Sequence, residues 1–376
     1  MSIDFEKIPK LGFGFMRLPQ KNGKTDISQT CEMVDAYMDH GFNYFDTAYG
    51  YLDGMSEIMI NETIVKRYPR DSFYLADKLP KWMLKGLEDR DRIFCDQLKK
   101  TGVTYFDFYL LHSVEDDSDD DGYVKYDCYE WAKQKKAEGL IHHFGISFHG
   151  TPSLLERLLI KHPEIEFVQI QLNYADWKNP IVHSGELYSI LRNHNIPIIV
   201  MEPVKGGMLA KQPLEIENMM KKARPDSSIA SWALRFAASL EGVLIVLSGM
   251  SNKEQVMDNI KIFSDLEPIC EDERQILDKA VEAMTKMPTI PCTDCRYCVD
   301  RDGCPQNIEI PEIFKALNTL RIYGEDMRPH FFYNGLVETN GRASDCIACG
   351  HCESVCPQHL SIIELLKEAS DKLDRE

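Results

Sequence analysis

The sequence predicts an α/β protein in two parts: a (β/α)8 TIM barrel followed by a C-terminal, mostly α-helical domain that is rich in cysteine. Between residue 11 and about residue 265, short apolar runs alternate with amphipathic segments eight times. Several runs are almost continuously apolar, as is typical of parallel strands covered by helices. An open doubly wound sheet is the alternative, but such sheets are usually smaller or divided, so the pattern favours the barrel.

Eight segments are predicted strands. In chain order they cover residues 11–16, 42–47, 73–78, 106–111, 141–147, 167–173, 196–202 and 243–249.

Helix signals separate these strands. Thr151 precedes Pro152 at a first helical turn, and Ser251 with Glu254 forms a predicted capping box. A helix over residues 26–40 is expected to end at Gly41. Its predicted apolar face consists of Ile27, Cys31, Val34 and Met38.

Charge and composition exclude several functional classes. The formal net charge of −17 argues against a nucleic-acid or anionic-membrane partner, since both would repel the chain. The first ten residues resemble no secretion signal, and no run reaches the roughly 18 apolar residues of a spanning helix. We therefore expect a cytoplasmic protein. Four scattered cysteines are expected to be inert: Cys31, Cys95, Cys128 and Cys270.

The domain boundary is predicted near residue 288. A helix over residues 271–286 leads to Pro288 and Pro291, which mark the change of composition. The barrel would thus occupy residues 1–287 and the second domain residues 288–376. The acidic run over residues 116–121 is expected to be a solvated loop tip, with a lid that repels anionic substrates as the alternative.

Titratable residues cluster at three consecutive strand ends. Asp46 ends the second strand, Tyr51 follows five residues later, Lys78 ends the third strand, and His112 follows the fourth. Barrel enzymes keep their chemistry at these ends. We expect the lysine ammonium to lower the pKa of Tyr51, so that Tyr51 exchanges a proton with a carbonyl oxygen held by His112. Each residue alone could serve packing, and it is their joint occurrence that favours catalysis.

The motifs "NYFDTAYGY", "ADK", "LLHS", "MEPVKGGMLA" and "LSGMSNKEQVMDNI" resemble the aldo-keto reductases over about residues 8–265. The resemblance implies a catalytic tetrad of Asp46, Tyr51, Lys78 and His112, with hydride delivered from a nicotinamide coenzyme across the barrel mouth. It also implies that Ser147 and Gln169 hold the carboxamide. Met201 falls where the family often carries an aromatic side chain against the nicotinamide ring.

The same resemblance implies further coenzyme contacts. The expected phosphate-binding residues are Gly206, Gly207, Gly249, Ser251, Lys253, Gln255 and Asn259. A helix N-terminus beside glycine loops suits an anion. Lys253 is the only cation near the place where NADP-preferring members carry basic residues, so NADP is favoured and NAD stays open.

Two cysteine runs occupy the tail. Cys346, Cys349, Cys352 and Cys356 follow the spacing C-x2-C-x2-C-x3-C-P of four-iron clusters, and Cys292, Cys295, Cys298 and Cys304 repeat it with five residues in the last gap. Structural zinc is the competitor, but the third close cysteine and the following proline favour iron and sulfide. The tail resembles an α-helical, two-cluster ferredoxin domain, and the whole chain resembles the ferredoxin-tailed branch of the aldo-keto reductases.

In two-cluster ferredoxins the fourth cysteine of each run binds the other cluster. The resemblance therefore implies one centre with Cys292, Cys295, Cys298 and Cys356, and another with Cys346, Cys349, Cys352 and Cys304.

The function expected from these parts is NAD(P)H-dependent interconversion of a small carbonyl and an alcohol. Nicotinamide moves two electrons as hydride and a cluster moves one at a time, yet the sequence has no flavin signal to connect them. Three hypotheses remain open: 4Fe-4S clusters that exchange electrons with a redox protein partner, purely structural clusters, or a nucleotide-sensing or partner-binding barrel without turnover.

Overall fold

The eight predicted strands all form and close into a parallel barrel in the computed structural model, which describes residues 8–115, 117–179, 182–286, 289–300, 303–323 and 327–374. Each strand pairs with its neighbours in chain order, and β1 pairs with β8. The strands are β1 Leu11–Gly14, β2 Tyr44–Asp46, β3 Tyr74–Pro80, β4 Phe106–Val114, β5 Ile141–Phe148, β6 Phe167–Gln171, β7 Ile198–Met201 and β8 Val243–Ser248.

Helices follow each strand and then continue into the tail. A small hairpin, Gln20–Lys21 with Lys24–Thr25, lies between β1 and the first helix. The helices are α1 Ile27–Asp39, α2 Ser56–Ile60, α3 Glu88–Thr101, α4 Asp117–Lys125, α5 Cys128–Ala137, α6 Pro152–Lys161, α7 Ser184–Asn193, α8 Leu214–Ala223, α9 Ile229–Ser239, α10 Lys253–Ser264, α11 Glu271–Lys286, α12 Ile310–Tyr323, α13 Met327–Leu336, α14 His351–Ser354 and α15 Ile362–Leu373. No helix in the described part of the chain is long and apolar enough to cross a bilayer.

An apolar cluster fills the barrel. Phe108 contacts Tyr44 and Phe167 with ring centroids 5.1 and 5.3 Å apart, so aromatic rings from three strands meet inside. The other members include Ala76, Leu110, Ile199 and Ile245. This packed interior is the base on which the residues nearer the strand ends rest.

The predicted buried face of α1 was wrong except at Val34. Ile27 is 46% exposed, and the buried residues are Thr30, Met33, Val34 and Tyr37. Tyr37 donates hydrogen bonds to the carbonyl oxygens of β1 and β2, 2.6 Å from that of Leu11. The hydrogen bonds from the Tyr37 hydroxyl to strand carbonyl oxygens thus determine the orientation of the helix.

The predicted cap of α10 was also wrong. The Asn252 side chain, not that of Ser251, caps the helix and accepts from the Gln255 backbone N–H at 2.9 Å. The Thr151 cap before Pro152 is confirmed, because its side chain accepts from the Leu154 N–H.

The acidic run forms the start of α4, so the predicted loop tip was wrong; Asp116 lies outside the described residues. Asp120 is buried and accepts hydrogen bonds from Tyr129 at 2.9 Å, His162 at 3.1 Å and Lys161 at 2.5 Å. Carboxylates in a first helical turn also interact favourably with the helix dipole. Both effects favour a helix over a solvated loop.

Contacts divide the chain into two units. The barrel unit comprises the residues up to Val204 together with Ser231–Ile269, and the C-terminal unit comprises Lys205–Ala230 and the chain from Cys270 onward. Helix α8 belongs to the second unit because it packs against α11, where Arg224 pairs with Glu273. The boundary at residue 288 stays a prediction.

The tail is mostly helical, as predicted. Its core combines apolar side chains of α12 and α15 with three of the clustered cysteines. The central members are Ile310, Phe314, Leu317, Ile362, Leu366, Cys298, Cys352 and Cys356. Thiols therefore lie inside the packed part of this unit.

Candidate active site

A layer of mostly polar side chains lies at the carboxyl ends of the strands; we call it the mouth layer. Side chains alternate along a strand, so the residue two positions beyond an interior one also points inward. Tyr44 is interior, and Asp46 is two residues later; Ala76 and Lys78 repeat the relation. The mouth layer consists of Asp46, Lys78, His112, Ser147, Gln169 and Met201.

A buried ion pair anchors this layer. The Lys78 ammonium is fully buried and lies 2.7 Å from Asp46 Oδ1 and 2.7 Å from the carbonyl oxygen of Thr47. Burial raises the pKa of Asp46, and the neighbouring Lys78 charge opposes that rise. Because two charges are removed from water together, neither partner can be lost without leaving the other uncompensated.

Tyr51 and His112 complete the predicted group. Tyr51 begins the turn Tyr51–Gly54, in which Leu52 and Asp53 have φ values of 53° and 54°. Its ring centroid lies 4.9 Å from Lys78 Nζ and 5.9 Å from the centroid of the buried His112 ring, which it meets edge-on. The structure thus brings all four residues of the predicted tetrad to one place.

The predicted lowering of the Tyr51 pKa is contradicted. Burial raises the pKa of Tyr51 well above 10, with Asp46 and Glu202 raising it further and Arg17 opposing them. Lys78 is paired with Asp46 at 2.7 Å, and burial together with the Asp46 charge outweighs any lowering of the Tyr51 pKa by the lysine. Tyr51 is therefore a neutral phenol, which is the form that can donate a proton.

Three residues at the mouth were missed in the sequence. Arg17, after β1, pairs with Glu202, after β7, at 3.2 Å, and Glu202 has a left-handed φ of 54°. Trp82 lies with its ring centroid 5.2 Å from that of His112 and is 45% exposed. All three follow strand ends, so a search of every strand end for charged and aromatic residues could have found them.

Two neighbouring carboxyl groups, those of Asp77 and Glu57, lie near Lys78. Asp77 Oδ1 accepts from the Lys78 backbone N–H at 2.8 Å, and the Lys100 ammonium lies 3.2 Å from the buried Glu57. Burial raises the pKa of Asp77 well above its usual range, and Glu57 raises it further. This shift favours the protonated form of Asp77, which would avoid placing two like charges side by side.

The residues predicted for the carboxamide lie side by side. Ser147 on β5 and Gln169 on β6 are paired in register, and Gln169 Nε2 lies 3.6 Å from the sulfur of Met201 on β7. Gln169 is buried, yet its Oε1 atom has no hydrogen-bond partner among the described residues. A buried acceptor without a donor fits an amide N–H supplied by a ligand.

The residues predicted for the phosphates fall into both units. In the barrel unit, Ser251 Oγ donates to the Arg17 carbonyl at 2.8 Å, and a Cβ on Gly249 would lie 3.5 Å from Arg17 Cδ. The Ser251 N–H donates to Gln255 Oε1 at 2.7 Å, so these residues form one local group.

Two others have partners of their own. Lys253 pairs with Glu32 at 3.4 Å on the surface, and Asn259 donates to Ser248 at 2.7 Å in a buried contact. Gly206 and Gly207 lie in the C-terminal unit, in the turn Lys205–Ala210 with φ values of 62° and 96°.

One of the two predicted cysteine sets lines a single cavity. The cavity is lined by Cys292, Cys295, Cys298 and Cys356, which are the set implied by the exchange of fourth cysteines, and by Thr293 and Arg296. Burial, with a smaller contribution from neighbouring charges, raises the pKa of Cys292 to about 12. Such thiols must lose their protons to bind metal. We call this the first cluster site.

The second run has the same backbone form as the first. Asp294 and Arg296 have left-handed φ values of 54° and 65°, and the matching residues Ala348 and Gly350 have 55° and 79°. The repeated conformation indicates that both runs serve the same kind of ligand.

The predicted second cluster site consists of Cys304, Cys346, Cys349 and Cys352. Burial, then the nearby Cys346, Glu353 and Cys304, raise the pKa of Cys352 to about 11, so thiols of both runs lie close together. The described residues contain no group of three or more carboxylate, imidazole or thiol side chains placed for one metal ion.

Comparison with known proteins divides the chain in a similar way. The model of the Aldo/keto reductase family matches residues 10–282, and that of the 4Fe-4S dicluster domain matches residues 291–361. The "Uncharacterized oxidoreductase YqkF" of Bacillus subtilis is 26% identical over 286 residues, covering 68% of this chain and 87% of its own length. L-galactose dehydrogenase of Arabidopsis thaliana is 23% identical over 296 residues, covering 74% and 91%.

Solved structures share the barrel fold. An aldo/keto reductase from Klebsiella pneumoniae in complex with NADP and acetate has a TM-score of 0.60 at 22% identity, covering 72% of this chain and 91% of that one. The aldo-keto reductase AKR11C1 from Bacillus halodurans has a TM-score of 0.58 at 24% identity, with the same coverage of 72% and 91%.

Proposed function

The chain belongs to the aldo/keto reductase family, and from that premise we propose that it interconverts a carbonyl and an alcohol by hydride transfer with NADP or NAD. One observation carries the proposal: Asp46, Tyr51, Lys78 and His112 converge at the carboxyl end of the barrel. Such a group can protonate a carbonyl oxygen while a donor holds it in place.

Each of the four residues has a role in this reaction. The neutral Tyr51 phenol donates its proton to the carbonyl oxygen, and His112 donates a hydrogen bond to the same oxygen. The Lys78 ammonium, held by Asp46 at 2.7 Å, stabilises the phenolate that Tyr51 becomes. Oxidation of an alcohol uses the same groups in reverse, with Tyr51 taking the proton back.

The bound coenzyme would supply or accept the hydride, and several residues would hold it. Gln169 Oε1 and Ser147 would bind the carboxamide, and Met201 would lie against the nicotinamide ring. The glycines Gly206 and Gly207 would approach the pyrophosphate. Lys253, the one cation of the predicted phosphate set, supports NADP over NAD.

We further propose that the tail binds two 4Fe-4S clusters, one at each cluster site. The matching backbone of both runs and the cavity lined by Cys292, Cys295, Cys298 and Cys356 support this assignment. The clusters would exchange electrons with a redox protein partner. A structural role is the second candidate, because Cys298, Cys352 and Cys356 belong to the apolar core of the tail.

Turnover by anaerobically purified protein tests the enzymatic proposal. NADPH and NADH are offered with a panel of aldehydes and quinones, and coenzyme oxidation is followed by its absorbance. Tyr51→Phe should lower kcat by about 10²- to 10⁴-fold, because a general acid contributes that much. Tyr49→Phe is the matched control: this tyrosine of the same loop donates to Asp96 at 3.1 Å and should leave kcat unchanged. Full turnover by Tyr51→Phe would reject the proposal.

Spectroscopy separates the two roles of the clusters. Iron and sulfide analysis should give about eight of each per chain, as two four-iron clusters require. Dithionite, a one-electron reductant, should bleach the cluster absorbance under anaerobic conditions, and an oxidised one-electron acceptor protein should restore it if the clusters exchange electrons with a partner. Clusters that do not bleach, or that an acceptor protein cannot reoxidise, would favour the structural role.

A further inference from the structure

The proposed coenzyme loop has a strained backbone. Lys205, Gly206 and Gly207 are consecutive residues with φ values of 50°, 62° and 96°. A left-handed conformation costs a residue other than glycine roughly 1–3 kcal/mol and persists only where the surroundings fix it. Lys205 and Leu209 of this turn are both buried.

Gly206 packs directly on the first cysteine run. A Cβ at Gly206 would lie 2.7 Å from the carbonyl carbon of Thr293 and 2.9 Å from its Cα, and nearer still to its carbonyl oxygen. Real Cβ atoms do not approach backbone so closely, so only glycine fits there. A Cβ at Gly207 would meet no described atom within 4 Å. Of two adjacent glycines with similar backbone, one is therefore in contact with Thr293 and the other is not.

Thr293 is in turn placed by the first cluster site. It lies between Cys292 and Cys295, is 2% exposed, and lines the same cavity as these two thiols. Cluster ligands at Cys292 and Cys295 would restrain the Thr293 backbone further when metal is bound. Lys205–Ala230 and the cysteine runs belong to one unit, so this contact is internal to that unit.

We propose that the first cluster positions the coenzyme loop, so that coenzyme affinity depends on whether Cys292, Cys295, Cys298 and Cys356 hold their cluster. The proposal rests on the proposed function, which assigns Gly206 and Gly207 to the coenzyme. Linkage makes the coupling reciprocal: if the cluster strengthens coenzyme binding, bound coenzyme stabilises the cluster by the same factor. The second cluster site contributes no residue to the Thr293 contact and should not affect coenzyme affinity.

Coenzyme titration of two cysteine variants tests the coupling. Cys292→Ser removes a ligand of the first cluster site, and Cys349→Ser removes one of the second, so both lose iron. Binding of NADPH is measured by its fluorescence. Cys292→Ser should bind NADPH about tenfold more weakly than the wild type or worse, because loss of even part of the restraint on a strained loop is worth that factor. Cys349→Ser should bind it as the wild type does. Equal dissociation constants for the two variants would overturn the proposal.

The glycine variants test the same contact from the loop. Gly206→Ala and Gly207→Ala introduce a similar backbone penalty, but only Gly206→Ala forces Thr293 to move. Electron paramagnetic resonance of the reduced proteins should show the first-site signal altered or lost in Gly206→Ala and retained in Gly207→Ala. Identical spectra would refute the contact. If Gly206→Ala does not fold, the cysteine pair decides alone.

These results are separable from a failure of the proposed function. A wild-type protein that binds no coenzyme, or holds no iron, would reject the proposed function itself. A wild-type protein that turns over and binds coenzyme as tightly as Cys292→Ser would reject only the coupling.

Discussion

Replacing Asp46 by asparagine isolates the charge that holds Lys78 in the barrel. The asparagine is nearly the same size and keeps an oxygen able to accept from Lys78 Nζ, which lies 2.7 Å from Asp46 Oδ1. The Thr47 carbonyl, also 2.7 Å from Nζ, remains as a second acceptor. The substitution therefore removes a charge while sparing most of the hydrogen bonding.

The expected cost follows from burial. Lys78 is 0% exposed and Asp46 3%, so an unpaired ammonium would remain in the interior. Breaking a buried pair by removing one partner costs about 3–5 kcal/mol. The two remaining acceptors favour the lower end, and we expect Asp46→Asn to lose about 3 kcal/mol of unfolding free energy. That is a large part of the 5–15 kcal/mol typical of a domain.

Tryptophan fluorescence during urea titration measures this loss in the barrel alone, because Trp82, Trp131, Trp177 and Trp232 all lie in the barrel unit. The double variant Asp46→Asn with Lys78→Met is the control. Replacing both partners of a buried pair by neutral groups is often neutral or stabilising, so the double variant should be more stable than the single one. A single variant within about 1 kcal/mol of the wild type, or a double variant less stable than the single, would refute the reasoning.

Three further predictions concern two proposed coenzyme contacts and the buried carboxylate of Asp120. Gln169→Leu removes the buried acceptor and should weaken NADPH binding about tenfold in a fluorescence titration, with unchanged affinity as the contrary result. Lys253→Ala should raise the KM for NADPH by about two- to fivefold and leave that for NADH unchanged, since exposed charges contribute little. Burial opposes ionisation of Asp120, but hydrogen bonds from His162 and Lys161 outweigh it and hold its pKa to about 2. Because this pKa lies below the unfolded value of about 3.9, the stabilisation is present above that pH and lost as pH falls toward 2. Asp120→Asn should thus lower the free energy of unfolding, measured by urea titration, by about 2 kcal/mol at pH 7. The difference from the wild type should narrow below about pH 4.

The sequence was sufficient for the strands and the tetrad because both follow from local rules. Side chains on a strand alternate, so apolar interior residues such as Tyr44 and Ala76 also determine that Asp46 and Lys78 point inward. Parallel strands in a barrel then bring those ends together. The two cysteine runs follow from spacing, and their division into two sets follows from the resemblance to two-cluster ferredoxins; the first set does line one cavity.

Features that depend on distant partners were not predictable. Hydrogen bonds from Tyr37 to two strands determine which face of α1 is buried. A count of apolar residues treats Tyr37 as polar and exposed. The sign of the Tyr51 pKa shift is set first by burial of the phenol and then by the charges of Asp46 and Glu202, which come from distant parts of the chain. The ion pair of Arg17 with Glu202 joins the first and seventh strands, and no local pattern relates them.

Closure of the barrel sets an order of events while the chain is being made. Leu11 on β1 pairs with Val246 on β8, so the barrel cannot close until β8 has left the ribosome. Cys356 follows Val246 by about 110 residues, or roughly 5–20 seconds of synthesis. Thr293 follows Val246 by about 47 residues and is made in the first half of that interval, but the first cluster site lacks its fourth cysteine until Cys356 is made. A nascent chain can therefore close its eight strands before the first cluster site is complete.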